Sequence, residues 1–229
     1  MILLVDKPTW WTSHDVVKFM KIHGQYKKVG HAGTLDPLAT WLMIILTDDD
    51  TKKMDSLVWH DKTYTATIDL MHKSDTWDSD YHDMYEEVIV EKEPTEDQIR
   101  EILTSLTPKS TLLLPSFSAK KIKWRRMYKS AREWVVHEVY KDMDIYDIKL
   151  VEYAFPLVKI TCHVWSGTFI RSIWYTLWEK LWTWWIITQL RRDTIGEYSL
   201  TDPTCIKNLL DIKQKSMWNN ATSPNDEST

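Results

Sequence analysis

The chain has 229 residues, of which 43% are hydrophobic and 27% charged, and its formal net charge is −4. Such values suit one domain of ordinary size or two small ones with a sizeable core. They exclude a generally basic nucleic-acid protein, so any RNA contact must come from local basic surface. Cys162 and Cys205 lie far apart with no CxxC spacing, which argues against a disulfide framework or a zinc site and for reduced thiols in a cytoplasmic setting. The apolar start MILLV is too short for a signal peptide and has no basic residues before it. Residues 173–190 are the most apolar stretch, but Glu179 and Lys180 sit near the middle, so a buried helix followed by a strand is expected rather than a membrane span.

Residues 2–5 read as a buried strand stopped by Asp6-Lys7-Pro8. Thr12 or Ser13 then caps a helix with Asp15 in its first turn and Val16, Val17 and Met20 on its apolar face. Residues 30–41, GHAGTLDPLATW, read as a stiff loop presenting one carboxylate. Gly30 and Gly33 permit positive φ or close approach, and Pro37 pushes Asp36 towards an extended conformation. Strands are expected over 42–46, 64–70, 87–91, 144–152, 157–164 and 186–191. Short helices are expected over 51–58 and 204–210, a longer one is capped by Thr95 with Gln98 three residues on, and another opens at Ser166-Gly167-Thr168. Seven basic residues fall within positions 120–132, with Trp124 and Tyr128 interleaved, ahead of and within a helix holding Lys129 and Arg132. A charge run of this kind is usually a solvated face; the aromatics tip it towards phosphate binding. Strands and helices mix without a regular βαβ repeat, so an α+β fold is expected. Residues from Lys213 onwards are polar and aperiodic and read as a disordered tail.

Several strings acquire meaning together. LLVDKPT-x-x-TSHDVV, GHAGTLDPLAT, KTYTATIDL, SDTWDSD, the segment from PSFSAKKIK to SAREW, SGTFIRS and QLRRDTIGEYSL occur in this order. They resemble the bacterial tRNA pseudouridine synthase B family (TruB), which isomerises uridine-55 of the tRNA T loop, over nearly the whole chain. The resemblance implies the pseudouridine-synthase fold, with a mixed, largely antiparallel central sheet, flanking helices and an RNA-binding cleft. It implies one catalytic domain over 1–212, in which 117–135 is a flexible insertion closing over the T loop, and no C-terminal RNA-binding module. No cofactor and no metal are called for, and the implied partner is the T stem-loop of tRNA, bound by a monomer.

Residue by residue, the resemblance implies that Asp36 is the catalytic aspartate, Tyr64 the aromatic residue packing on the target base, and Arg171 the arginine pairing with the aspartate. Lys7, Pro8 and His31 are implied to lie along the RNA cleft. Lys120, Lys123, Arg125, Arg126, Arg132 and Arg191 are expected to bind phosphates. Taken alone, Tyr64 reads as a core tyrosine of a strand, Arg171 as a helix-surface ion pair, and Asp75 and Asp78 as loop acids. The chemistry needs an ionised carboxylate, a surface for the detached uracil, and a base flipped out of its stack at a few kcal/mol. Asp36 serves as nucleophile or as base; the sequence does not separate these roles.

One compositional feature departs from the family. The chain has 5 Gly and 14 Trp, together 19, where average usage of about 7% would give roughly 16 Gly. Trp10, Trp41, Trp124, Trp134, Trp178 and Trp182, with Trp184 or Trp185, stand where the family carries glycine. Indole at a turn needing positive φ is expected to strain or overpack the chain. Design, a degenerate relative, or systematic Gly-to-Trp errors in the recorded sequence would each account for the pattern, and the count favours the last. If pocket geometry is lost, the alternative function is a non-catalytic tRNA-binding or tRNA-folding protein.

Overall fold

In the computed structural model the described residues are 1–79, 86–181 and 183–212, with the side chain of Trp178 not described. The expected tail after Lys213, Trp182 and part of the loop over 74–83 lie outside them. The chain divides into two compact units, Met1–Trp59 with Asp193–Thr229, and His60–Arg192.

The first unit is built on β1 (Ile2–Lys7), α1 (Ser13–His23), β2 (Val29–Ala32), β3 (Thr40–Thr47) and α2 (Met54–Val58), the last preceded by a 3-10 turn over Asp48–Lys53. β3 pairs antiparallel with both β1 and β2, with Lys7 opposite Trp41 and Ala32 opposite Ile44. Its residues 42–47 are all buried, so it reads as a continuous apolar run rather than an alternating one. Leu4, Ala32, Leu42, Ile44, Leu46, Leu57, Ile195, Leu200 and Cys205 make the core here, each large aliphatic side chain stabilising by roughly 1.5–3 kcal/mol. Helix α1 begins where expected: Thr12 accepts from the Asp15 amide and Asp15 accepts from Thr12 N–H, a reciprocal capping box.

Two expectations for this unit change. Residues 29–32 form a strand, so the stiff loop contracts to 33–39; Gly30 and His31 pair along β3 instead of turning. Residues 204–210 do not form a helix throughout, and a helical turn begins only at Leu209. Ile206 is taken by a parallel bridge to Val5, donating to Leu4 O at 2.8 Å and accepting from Asp6 N at 3.0 Å. That pairing is nonlocal, so local periodicity does not report it.

The second unit contains β4 (Lys62–Asp69), β5 (His72–Lys73), β6 (Glu86–Glu87), α3 (Glu96–Ser105), β7 (Lys109–Leu113), β8 (Lys121–Ile122), β9 (Arg125–Arg126), α4 (Met127–Ala131), β10 (Tyr140–Ala154), β11 (Leu157–Val164), α5 (Ile170–Leu181) and β12 (Ile186–Ile195). β4, β11, β10 and β7 lie side by side and pair antiparallel, and β12 borders β4. Helix α3 packs on β10, and α5 on β7 and α3. Beyond the unit boundary β12 continues into a hairpin with β13 (Tyr198–Ser199). All described strand registers are antiparallel, while single parallel bridges join Val5 to Ile206 and Asp78 to Ile187. The class is α+β, as expected. The strand expected over 87–91 shrinks to the two-residue β6. Arg132 is not inside α4 but caps its end. Residues 173–190 resolve into the end of α5 and the start of β12. Among the described residues, no helix is long and apolar enough to cross a membrane.

Candidate active site

In the first unit, the segment from Lys7 to Ser13 builds the platform for the Asp36 loop. Lys7 is fully buried, and its ammonium donates to three carbonyls: Pro8 O at 2.9 Å, Trp11 O at 2.6 Å and Pro37 O at 2.9 Å. Buried Ser13 accepts from Leu35 N at 2.9 Å and donates to Leu35 O at 3.2 Å. Thr9 Oγ1 donates to Leu38 O at 3.2 Å, and Trp10 N to Pro37 O at 2.9 Å. Leu35, Leu38 and Ala39 point into the core, and Gly33 turns the chain at φ 93°. Asp36 is thus half-buried on a loop anchored on both sides, its own carbonyl taking Ala39 N at 3.1 Å. Lys7, implied to lie along the RNA cleft, is thus buried with its ammonium tying main-chain carbonyls together. Pro8 is exposed, and His31 is half-buried on β2.

In the second unit, charged groups collect inside the fold. Arg171, in the first turn of α5, is 4% exposed. It donates to Thr76 O at 2.8 Å and Phe117 O at 3.1 Å, and stands 3.6 Å from the Asp78 carboxylate, itself buried. Asp78 is fixed in turn: Ser74 Oγ donates to its carbonyl at 2.7 Å, and its neighbour Ser79 donates to Ile187 O at 3.0 Å. The expected Asp36–Arg171 pairing joins residues of different units; within its own unit Arg171 is engaged by Asp78, a residue ranked minor from sequence.

Tyr64, Lys62 and Arg192 form a further cluster. Alternation along β4 turns Lys62 and Tyr64 inwards, 5% and 8% exposed. The same alternation on β12 buries Leu190 and Arg192 and leaves Arg191 exposed. Arg192 is 1% exposed and hydrogen-bonds the Tyr64 side chain. Burial pushes the Arg192 guanidinium down from its ordinary value, and Tyr64 opposes that. Lys62 donates to His60 O at 2.6 Å and Ser166 Oγ at 3.2 Å. Burial, with Arg192 nearby, lowers its ammonium to about 8. Sequence reasoning assigned nothing to Lys62 or Arg192, although the two-residue strand period carried the signal.

The basic insertion is a two-stranded ribbon, β8–β9, leading into α4. Lys120, Lys123, Arg126 and Arg132 are exposed along it. Arg125 is half-buried and paired with Glu133, and the Arg132 guanidinium lies 5.5 Å from the Tyr128 ring centre. A cavity of about 230 Å³ lies between the end of α4, at Ala131 and Arg132, and the 74–76 loop, with Phe117 and Trp134 among its walls.

Of the tryptophans expected at family glycine positions, Trp10, Trp41 and Trp134 have φ of 68°, 85° and 60°, the left-handed region glycine favours. Trp77, not singled out before, has φ 64°. At Trp124 the positive φ falls on its neighbour Lys123, and Trp178 lies within helix α5.

These features define a pseudouridine-synthase fold. A chain in the crystal structure of a Cbf5-Nop10-Gar1 complex matches with a TM-score of 0.73 at 22% identity, over 97% of this chain and 56% of that one. A sequence model, TruB family pseudouridylate synthase (N terminal domain), matches residues 21–170. The protein called tRNA pseudouridine synthase B in Chloroherpeton thalassium is 33% identical, covering 91% of this chain and 88% of its own. Its namesake in Chlorobaculum tepidum is 37% identical, covering 91% and 89%. That of Caldicellulosiruptor saccharolyticus is 36% identical, covering 87% and 68%. The chain belongs to the TruB family of pseudouridylate synthases.

Proposed function

We propose that this chain is a tRNA pseudouridine synthase, isomerising the uridine at position 55 of the T loop. The observation that carries the reading is the Asp36 loop. It offers a carboxylate held by main-chain bonds from Lys7, Ser13 and Thr9, so the group is placed before substrate arrives. The C1′–N1 bond breaks, the uracil turns, and a C1′–C5 bond forms. C5 gives up its proton and N1 gains one, so the reaction is an isomerisation with no redox change. Tyr64 packs on the flipped uracil. Arg171 and Asp78 hold the 74–79 loop as a wall of the pocket, and the exposed cations of the insertion take phosphates. The protein acts as a monomer in the cytoplasm.

Incubation with an unmodified tRNA transcript, followed by chemical detection of pseudouridine, tests this directly. One uridine of the T loop is converted, and Asp36→Asn gives no product while still binding the transcript. Product formation by Asp36→Asn at the wild-type rate would end the assignment. A second reading, a tRNA-binding protein without catalysis, draws on Trp10 and Trp41, which hold strained backbone on either side of the Asp36 loop. It predicts salt-dependent binding with no product from the unsubstituted chain.

A further inference from the structure

We infer that Lys62 is a positioning residue: its ammonium clamps the corner where β11 runs into α5, and so sets the gap between Tyr64 and the pocket wall that Arg171 holds. The inference rests on the reading above, in which the flipped uracil enters that gap.

The sheet register puts Lys62 at that corner. It pairs with Val164, the last residue of β11, while Tyr64 pairs with Cys162. Alternation along β4 turns both side chains inwards. Beyond Val164 the chain leaves the sheet through Trp165-Ser166-Gly167-Thr168 and enters α5, whose first turn carries Arg171. Lys62 Nζ reaches past the strand end to Ser166 Oγ at 3.2 Å, and its bond to His60 O at 2.6 Å holds the ammonium against the entry to β4. An ammonium only donates, so the hydroxyl oxygen of Ser166 accepts.

The other side of the corner is held by β10. Gly167 O accepts from Lys141 Nζ at 2.7 Å, Trp165 N donates to Asp144 O at 3.0 Å, and Phe169 N donates to Met143 Sδ at 3.4 Å. Bonds from Thr168 N to Trp165 O at 3.3 Å and from Ser172 N to Phe169 O at 3.0 Å knit residues 165–172 together. A shift of Ser166 is therefore carried into Arg171, whose guanidinium holds the carbonyls of Thr76 and Phe117. Strand β11 lies between β4 and β10, so Lys62 anchors the corner from the Tyr64 side.

A lysine is a poor choice if the corner only needed filling. Lys62 is 5% exposed and Ser166 9%, and buried ionic groups are often replaced by apolar ones of similar volume without loss of stability. Burial also holds the ammonium down at about 8. A purely structural role predicts that rate and melting temperature fall together in Lys62→Met. A positioning role predicts slower turnover with the melting temperature kept, because misplacement by about 1 Å is worth about 100-fold in rate.

The experiment follows pseudouridine formation in an unmodified tRNA transcript at neutral pH. The unsubstituted protein is compared with Lys62→Met, Ser166→Ala and the double variant, and melting temperature and tRNA affinity are measured for each. Both single variants are expected to lower kcat about 10- to 100-fold, with KM and affinity within about threefold. The double variant should be no slower than Lys62→Met, because both substitutions remove the same bond. A wild-type kcat in Ser166→Ala overturns the inference. So does a Lys62→Met effect that persists in full in the Ser166→Ala background, since Lys62 then acts on another group. A loss of kcat that tracks a loss of melting temperature overturns it as well. If Lys62→Met does not fold, Ser166→Ala decides alone by the same kcat and melting-temperature criteria. No pseudouridine from the unsubstituted protein overturns the underlying reading together with the inference, whereas undiminished turnover in the variants overturns the inference alone.

Discussion

The two units prepare their functional groups in opposite ways. In the first, the carboxylate of Asp36 is positioned through the main chain. Lys7, Ser13 and Thr9 grip the carbonyls and amides of residues 35–38, on either side of Asp36 in the chain. In the second, side chains hold side chains: Arg171 faces Asp78, Arg192 faces Tyr64, and Lys62 is buried beside them. The consequence is a separation of activity from stability. A group on a backbone-held loop can be exchanged with little loss of fold, whereas a member of a buried charge network cannot.

Asp36→Asn makes the sharpest test of that difference. It removes the charge while keeping the shape, and the bonds from Lys7, Ser13 and Thr9 reach the loop's main chain. Turnover should fall by about 10³-fold or more, with the urea midpoint and tRNA affinity unchanged. A large loss of stability would show that the side chain helps hold the loop, and the contrast between the units would collapse.

Asp78→Ala should do the reverse. It leaves the Arg171 guanidinium buried without its carboxylate, and breaking a buried pair from one side costs about 3–5 kcal/mol. Urea denaturation should show it, and activity should fall because the protein loosens. Replacing both partners by apolar residues, Arg171→Met with Asp78→Leu, should recover much of that stability without restoring turnover. Recovery of both would mean that the pair is purely structural.

Much of this was legible in advance, for identifiable reasons. Gly33 and the Asp36-Pro37 pair punctuate the loop, and Thr12 with Asp15 and Thr95 with Gln98 spell capping boxes that both form. The charged residues were harder. Lys7 and Arg192 are both buried, whereas a lysine or arginine is ordinarily exposed. Alternation along β12 from Leu190 would have turned Arg192 inwards and Arg191 outwards. No such rule reveals Lys7, whose burial depends on carbonyls supplied by Pro37, thirty residues away. The same limit hid the Val5–Ile206 bridge.

The pH dependence of stability offers a smaller contrast between the units. In the second, Lys62 is lowered to about 8 from 10.5. Between those values the unfolded chain binds the extra proton, so this group makes stability rise with pH. In the first unit Cys205, raised by burial to about 11 from 9.0, works the other way: the unfolded chain releases its proton first, and stability falls between about 9 and 11. Lys62→Met should remove the rise above pH 8, and Cys205→Ala should remove the opposing fall. An unchanged profile in Lys62→Met would mean that its ammonium is not held low in the folded protein.

The tryptophans at positive φ give the smallest effect and extend the comparison to the backbone. Trp134, at φ 60° and 86% exposed, contributes little buried area, so its backbone strain is not offset by packing. A left-handed residue other than glycine costs roughly 1–2 kcal/mol, and Trp134→Gly should raise stability by about 1 kcal/mol. Trp41 shares the conformation at φ 85° but packs against the core of the first unit, so relief of strain there is offset by lost burial. Trp41→Gly should therefore gain less than Trp134→Gly. Equal gains at both positions would show that the indole of Trp41 contributes nothing to the core beneath the Asp36 loop.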